Sequence, residues 1–292
     1  MEFRRAASEE QALAWLAERG GSARVIAGGT DVMMQYARGE ISPAEFVHIE
    51  GIRSLAAVDS AATSRFGALV THRQLATDPL IRKRHPALSE AAATVGGWQT
   101  QAVGTLGGNI CNASPAADTA APLLVANAIV ELRSARGTRR VPVQDFFVGR
   151  RNVDRRPDEL VTAVEAEPVG QSAAEVYLKA GRRGAMVVAV VGLAVRLLFD
   201  VDGQVRDARL ALCSVAPTPV RAYRAERVLV DGGAIGDAVR EAGEELLAEA
   251  SPVDDSRATA AYRRMILTGL LDRAVACCRS RTAMKRGVEG DS

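Results

Sequence analysis

The sequence predicts an α+β chain built as two small lobes followed by a strand-then-helix domain. Three observations predict it. Short strands alternate with amphipathic helices through the first part of the chain. Glycine pairs punctuate strand ends at Gly28-Gly29 and Gly107-Gly108. Beyond Pro168 the periodicity changes to strands closed by two helices, the order of an α+β layer domain. The length of 292 residues suits about two domains at roughly 150 residues each. The divisions expected are 1–170, with lobes of about 1–57 and 58–170, then 171–280, then a flexible tail over 281–292.

Each element has its own signal. Ser8-Glu9-Glu10-Gln11 has a capping-box pattern, with Leu13 and Leu16 behind it and Gly20-Gly21 closing the helix. A strand over 24–27 runs into Gly28-Gly29-Thr30-Asp31, and a short helix over 32–38 and a strand over 46–49 complete a βαβ-type lobe. A strand near 66–70 precedes a second capping-box pattern, Thr71-His72-Arg73-Gln74. Helices are expected at 72–77 and 86–95. Residues 95–112 form a glycine-rich loop holding Gly96, Gly97, Gly104, Gly107 and Gly108. A helix over 118–126 and strands at 128–133 and 160–166 follow. After the boundary near Pro168 to Ser172, strands at 175–180, 187–199 and 205–214 are expected, with Asp202-Gly203 as a hairpin turn. Helices at 235–249 and 257–277 close the pattern, and the chain frays from Thr282.

Composition excludes several classes. The chain is 48% hydrophobic and 25% charged, an ordinary globular balance. Lys and Arg total 37 against 35 Asp and Glu, with no concentrated basic face to suggest nucleic acid. Aromatics are 4%, too few for a base-stacking platform. The longest apolar run, 185–195, holds 11 residues, whereas a membrane span needs about 20. It reads as a buried strand. Cys111, Cys213, Cys277 and Cys278 show no CxxC spacing, so no metal ligation is expected. Reduced thiols and a cytoplasmic location follow. Met1 to Gly20 carries Glu9, Glu10 and Glu18 and no apolar core, unlike a secretory signal.

The chemistry is concentrated in two glycine loops. The first is Val25-Ile26-Ala27-Gly28-Gly29-Thr30-Asp31. The second is Gly104-Thr105-Leu106-Gly107-Gly108-Asn109-Ile110, continuing through Ser114-Pro115-Ala116-Ala117-Asp118. Glycine permits positive φ and close ligand approach, and exposed N–H groups in such turns bind anions. Thr30, Thr105 and Asn109 add neutral donors. Gly104 to Gly108 reads GxxGG, which is neither the dinucleotide-binding GxGxxG nor a P-loop. Two readings are open: tight turns alone, or facing cradles for a pyrophosphate. The three histidines, His48, His72 and His85, stand at no triad spacing. Arg150-Arg151 and Arg155-Arg156 read as a solvated loop or as a docking surface for an acidic partner.

AGGTD at 27–31 and TLGGNICNASPAADT at 105–119 resemble the flavoprotein medium subunits of molybdenum hydroxylases. The similarity runs from residue 1 to about 280 and includes Ser214-Val215-Ala216-Pro217-Thr218-Pro219-Val220-Arg221. The resemblance implies a two-lobed FAD-binding domain of the vanillyl-alcohol-oxidase (PCMH) type, plus a C-terminal α+β domain with a small antiparallel sheet and helices. FAD would lie between the lobes. Ile26, Ala27, Gly28, Gly29, Thr30, Asp31 and Val32 would carry one side. Gly104, Thr105, Gly107, Gly108 and Asn109 would carry the other, with Ser114 following them. Asp118 matches a position near the flavin nucleotide, Leu160 and Val161 a backbone contact near the ring, and Lys179 a lysine beside it. A cation there would raise the flavin potential; without the resemblance, Lys179 reads as a snorkelling lysine at a strand end. Two departures stand out. Thr100-Gln101-Ala102 replaces the relatives' frequent Ile-Arg-Asn, and Val187 replaces an aspartate.

The resemblance implies an oxidoreductase subunit with no catalytic acid or base of its own. Electrons would come from a molybdopterin-containing large subunit through a small subunit with two [2Fe-2S] clusters, in a dimer of heterotrimers. This FAD would hand them to NAD, a quinone or oxygen. AGGTD in place of AGGHS leans the substrate away from carbon monoxide and toward an N-heterocycle, purine or other aromatic. A stand-alone FAD oxidoreductase, a nucleotide-binding module without redox function and a non-enzymatic assembly protein are the competing readings.

Overall fold

The computed structural model describes residues 2–290, with side chains described through Lys285. Three main sheets and one two-stranded ribbon organise the chain. The first sheet is parallel, ordered Glu2–Arg5, Glu45–His48, Ala23–Ile26. All four residues of its central strand are buried, as a parallel strand covered on both faces requires. The Glu9–Arg19 helix packs Ala12, Leu13 and Leu16 into this lobe's core. Ser8 accepts the Gln11 N–H at 3.2 Å, while the Gln11 side chain reaches back to the Ala7 N–H at 2.7 Å. The Glu2–Arg5 strand carries no apolar alternation and is found only through its pairing with Glu45–His48.

The second sheet is antiparallel and five-stranded, ordered Val58–Ser60, Ser64–Gly67, Leu160–Ala166, Ile129–Ser134, Gly137–Pro142. Thr71 makes a complete capping box with Gln74 and starts the His72–Thr77 helix. The stretch expected as a glycine-rich loop instead folds into two short helices, Trp98–Val103 and Leu106–Asn112. Thr105 is the cause: its hydroxyl accepts the Gly108 N–H at 3.1 Å and caps the second helix. Asp78 and Pro79 likewise start an unexpected helix, Pro79–Arg84, whose basic end Arg82-Lys83-Arg84 conceals its periodicity.

The third sheet is an antiparallel meander of Ala173–Ala180, Val191–Phe199, Val205–Cys213 and Val220–Arg221, in chain order. Gly203, at φ +80°, takes the expected turn. The helices Tyr223–Asp231, Ile235–Glu249 and Ala260–Gly290 pack with it around one core. Where fraying is expected from Thr282, the last helix continues to Gly290, and residues 291–292 of the expected tail lie outside the described residues. Thr282 is buried, and Arg281 and Lys285 donate to the carbonyls of Glu175 and Ala173. That segment lacks an apolar stripe, so tertiary contacts decide its helicity. Among the described residues no helix is long and apolar enough to cross a membrane.

Candidate cofactor site

A cleft of about 360 Å³ opens between the first sheet and the second. The loop leaving the Ala23–Ile26 strand forms one wall, with Ala27, Gly28, Gly29, Thr30, Asp31 and Val32 all lining it. Gly29 sits at φ +71°, where a side chain would strain the backbone. Gly28 touches the opposite loop directly. A Cβ there would stand 1.8 Å from the Val103 carbonyl oxygen. The two glycine loops are therefore packed backbone to backbone.

The loops differ in their free donors. Among the described residues, the N–H groups of Gly28, Gly29, Thr30, Asp31 and Val32 donate to no protein acceptor. In the second loop the donors are mostly used. Leu106 donates to the Val70 carbonyl and Gly107 to the Ala68 carbonyl, both at 2.9 Å. Gly108 and Asn109 donate to the hydroxyl and carbonyl of Thr105. Over Gly104–Ile110 only the Thr105 N–H is left. The glycines of the second loop are there for packing: a Cβ at Gly107 would lie 2.7 Å from that of Ala68. A pyrophosphate would find its donors on the first loop and at Thr105, not equally on both.

Gly104, Thr105, Gly107, Gly108 and Asn109 line the facing wall, and Leu160 and Val161 line the cleft from the central strand of the second sheet. The Thr162 carbonyl accepts the Ala68 N–H and the Ala68 carbonyl accepts the Gly107 N–H, both at 2.9 Å, so that strand is tied to the second loop through Ala68. Four expected residues do not line the cleft. Ile26 is buried at the strand end, and Ser114 spends its oxygens on the N–H groups of Ala116 and Ala117. Asp118 and Lys179 stand behind the wall as a buried pair at 2.7 Å. Tyr177 donates to the other Asp118 oxygen at 2.6 Å, and Lys179 also donates to the Thr94 carbonyl at 3.0 Å. Burial pushes the Asp118 carboxyl up, against the opposing pull of Lys179.

Several lining residues were not read from the sequence as site residues, among them Arg24, His72, Cys111, Arg151 and Arg155. The basic loop is legible in the sequence, and Arg150, Arg151 and Arg156 are exposed, as a solvated loop requires; Arg151 and the half-buried Arg155 also border the cleft. His72 is buried at the start of its helix, and burial pulls its imidazole down to about 4. It is neutral and has no carboxylate partner. Cys111 is held above its ordinary thiol value by burial, with Arg155 and Arg24 opposing. Burial works to raise Glu159, and the hydrogen bonds of Arg139 and the Arg156 N–H overcome it, holding the carboxyl below its ordinary range. Among the described residues no cluster of His, Cys, Asp and Glu could hold a metal ion.

With this geometry in view, the comparisons with known proteins are specific. Residues 1–166 match the family model for the FAD-binding domain in molybdopterin dehydrogenase, and 175–278 match the CO dehydrogenase flavoprotein C-terminal domain. The xanthine dehydrogenase FAD-binding subunit of Escherichia coli O157:H7 is 30% identical over 276 residues, covering 94% of each chain. The glyceraldehyde dehydrogenase medium chain of Sulfolobus acidocaldarius is 31% identical over 272 residues, 92% of this chain and 95% of that one. Carbon monoxide dehydrogenase of Hydrogenophaga pseudoflava superposes with a TM-score of 0.92 at 27% identity, covering 96% of this chain and 98% of that chain. The row of free N–H groups fits the FAD these families carry, and the chain belongs to the FAD-binding medium subunits of the molybdenum hydroxylases, a family of oxidoreductase flavoproteins.

Proposed function

We propose that FAD lies in the cleft between the first two sheets and relays electrons from a partner subunit to an external acceptor. The observation that carries this reading is the row of five unused N–H groups from Gly28 to Val32, facing the Thr105 N–H. Such a concavity suits a pyrophosphate without any lysine. When bound, FAD supplies a centre that accepts and releases electrons singly or in pairs. The chain's residues position it. Ile26 seats the first loop, Gly104, Gly107, Gly108 and Asn109 close the opposite wall, and Leu160 and Val161 flank the ring. Asp118 and Lys179 brace the wall from behind. The chain's part is to position the flavin, and no residue is assigned the role of catalytic acid or base.

The partners are a molybdopterin-containing large subunit and a small subunit with [2Fe-2S] clusters, in a dimer of heterotrimers. Support comes from relatives named as medium chains and complex subunits, including the 6-hydroxypseudooxynicotine dehydrogenase complex of Paenarthrobacter nicotinovorans. The acceptor is NAD, a quinone or oxygen, and the complex works in the cytoplasm, as four unpaired cysteines suit. The test is a visible spectrum of the purified chain, followed by release and identification of the cofactor. A flavin spectrum that proves to be FAD is the expected result. A colourless chain that refuses added FAD, alone and with its co-purified subunits, overturns the reading.

A further inference from the structure

Three guanidinium groups border the cleft that the glycine loops alone do not explain: Arg24, Arg151 and Arg155. Arg151 is tethered to the Asn112 side chain at 2.6 Å. Arg155 is braced by the carbonyls of Glu159 at 2.7 Å and Arg156 at 3.0 Å, both through Nη1. The Arg24 guanidinium makes no hydrogen bond or ion pair to any described residue. Burial and then the nearby charge of Arg155 both disfavour its protonated form. The carboxylates bordering the same cleft are Asp31 and Glu159. Glu159 is spent on Arg139, at 2.8 and 2.9 Å. Cys111, beside both arginines, keeps its proton and adds no competing negative charge. Arg24 and Arg155 are near enough for their charges to repel, and neither forms an ion pair with a carboxylate of a described residue. Such an arrangement is repulsive until an anion enters it.

We propose that Arg24 and Arg155 form an anion clamp for the diphosphate of the bound dinucleotide, and that this clamp makes the site select FAD over flavins lacking the ADP half. The inference rests on FAD occupying the cleft. Arg24 lies on the strand that feeds the free N–H row, so clamp and row belong to one continuous segment. A guanidinium offers a fork of donors that matches phosphate oxygens. Arg155 keeps Nε and Nη2 for this purpose because Nη1 alone is used in bracing. Arg24 is the free jaw, and Arg155 is the fixed one.

The experiment is calorimetric titration of the full-length chain, stripped of cofactor, with FAD, ADP and riboflavin. Arg24→Met raises the dissociation constants of FAD and ADP roughly tenfold to a hundredfold, the worth of one charge-assisted contact. Riboflavin binding is unchanged. Arg24→Lys restores part of the loss. Wild-type ADP affinity falls as salt is raised, and Arg24→Met flattens that dependence. ADP binding equal in wild type and Arg24→Met overturns the clamp, as does an equal loss for riboflavin. Should Arg24→Met fail to fold, a wild-type ADP affinity indifferent to salt overturns it as well. A wild-type chain that binds neither FAD nor ADP sinks the cleft reading itself, which separates the two failures.

Discussion

Lys179 is a buried cation whose charge is matched at once by Asp118, 2.7 Å away. Sequence pattern alone places it at a strand end, and only the fold reveals its partner 61 residues earlier. Removing one member of a buried pair strands the other and costs about 3–5 kcal/mol. Lys179→Met is expected to lose stability on that scale, and the Lys179→Met/Asp118→Asn double variant less than the sum of the singles. Urea titration of the four proteins measures the cycle; strict additivity would remove the pairing from the ledger. The buried histidines give a pH signature. His72 and His85 are pulled down to about 4 and about 3, by burial first and, for His85, by Arg196 and Arg84 as well. Their unfolded values lie near 6.5, so below that pH the unfolded chain binds more protons. Stability is present above about pH 6.5 and falls as pH drops toward 4, by up to about 1.4 kcal/mol per pH unit for each histidine. His85→Gln is expected to flatten the unfolding free energy between pH 4 and 6.5. A slope identical to wild type counts against this origin.

The glycine loops show what an element can disclose before its structure is known. Gly28 and Gly29 were legible because a glycine pair at a strand end is a strong local signal. The Leu106–Asn112 helix was not, because glycine is a poor helix former and local propensity pointed to a loop. The Thr105 cap and the close approach of Gly107 to Ala68 override that propensity. That Arg24 and Arg155 share the cleft is illegible in the sequence for a different reason. Arg24 and Arg155 lie 131 residues apart in sequence, and no local pattern states that they face one space. Gly28→Ala tests the loop contact. Its Cβ would meet the Val103 carbonyl at 1.8 Å, where backbone faces backbone and neither can rotate away. A loss of about 2–3 kcal/mol is expected from overpacking, together with weaker retention of FAD. Gly21→Ala, where a Cβ meets nothing within 4 Å, is the control and should stay within about 0.5 kcal/mol. Equal thermal unfolding of the two variants would contradict the packing of the loops.

At the scale of the whole molecule, the C-terminal domain meets the cofactor-binding lobe along its first strand, along its last helix and where its sheet packs on the Ala120–Val125 helix, beside which the Ser214 N–H donates to the Pro115 carbonyl at 2.7 Å. The Ala173–Ala180 strand lies against the Pro86–Ala93 helix. There the Glu90 carboxylate accepts the Tyr177 N–H at 2.9 Å, and Glu175 accepts the Ala87 N–H at 3.2 Å. The Ala260–Gly290 helix adds a second strap. Arg281 reaches both the Glu90 carboxylate and the Glu175 carbonyl, and so bridges the two domains through one guanidinium. A polar sequence at a chain end reads as frayed because local patterning cannot report partners almost two hundred residues away. The strap predicts that deleting 281–292 destabilises the whole protein. Losing these hydrogen bonds is worth about 2 kcal/mol, and a chain of this size shifts by roughly 2–4 °C per kcal/mol. A fall in Tm of at least about 4 °C is therefore expected. Arg281→Ala should reproduce part of it, since the remaining turn keeps Thr282 buried and Lys285 on the Ala173 carbonyl. An unchanged Tm in the deletion would mean that the first strand and the contacts of Ala120–Val125 with the third sheet join the domains without help from the last helix. The wall behind the cleft, where Lys179 meets Asp118 and Thr94, would then depend on that strand without support from the last helix.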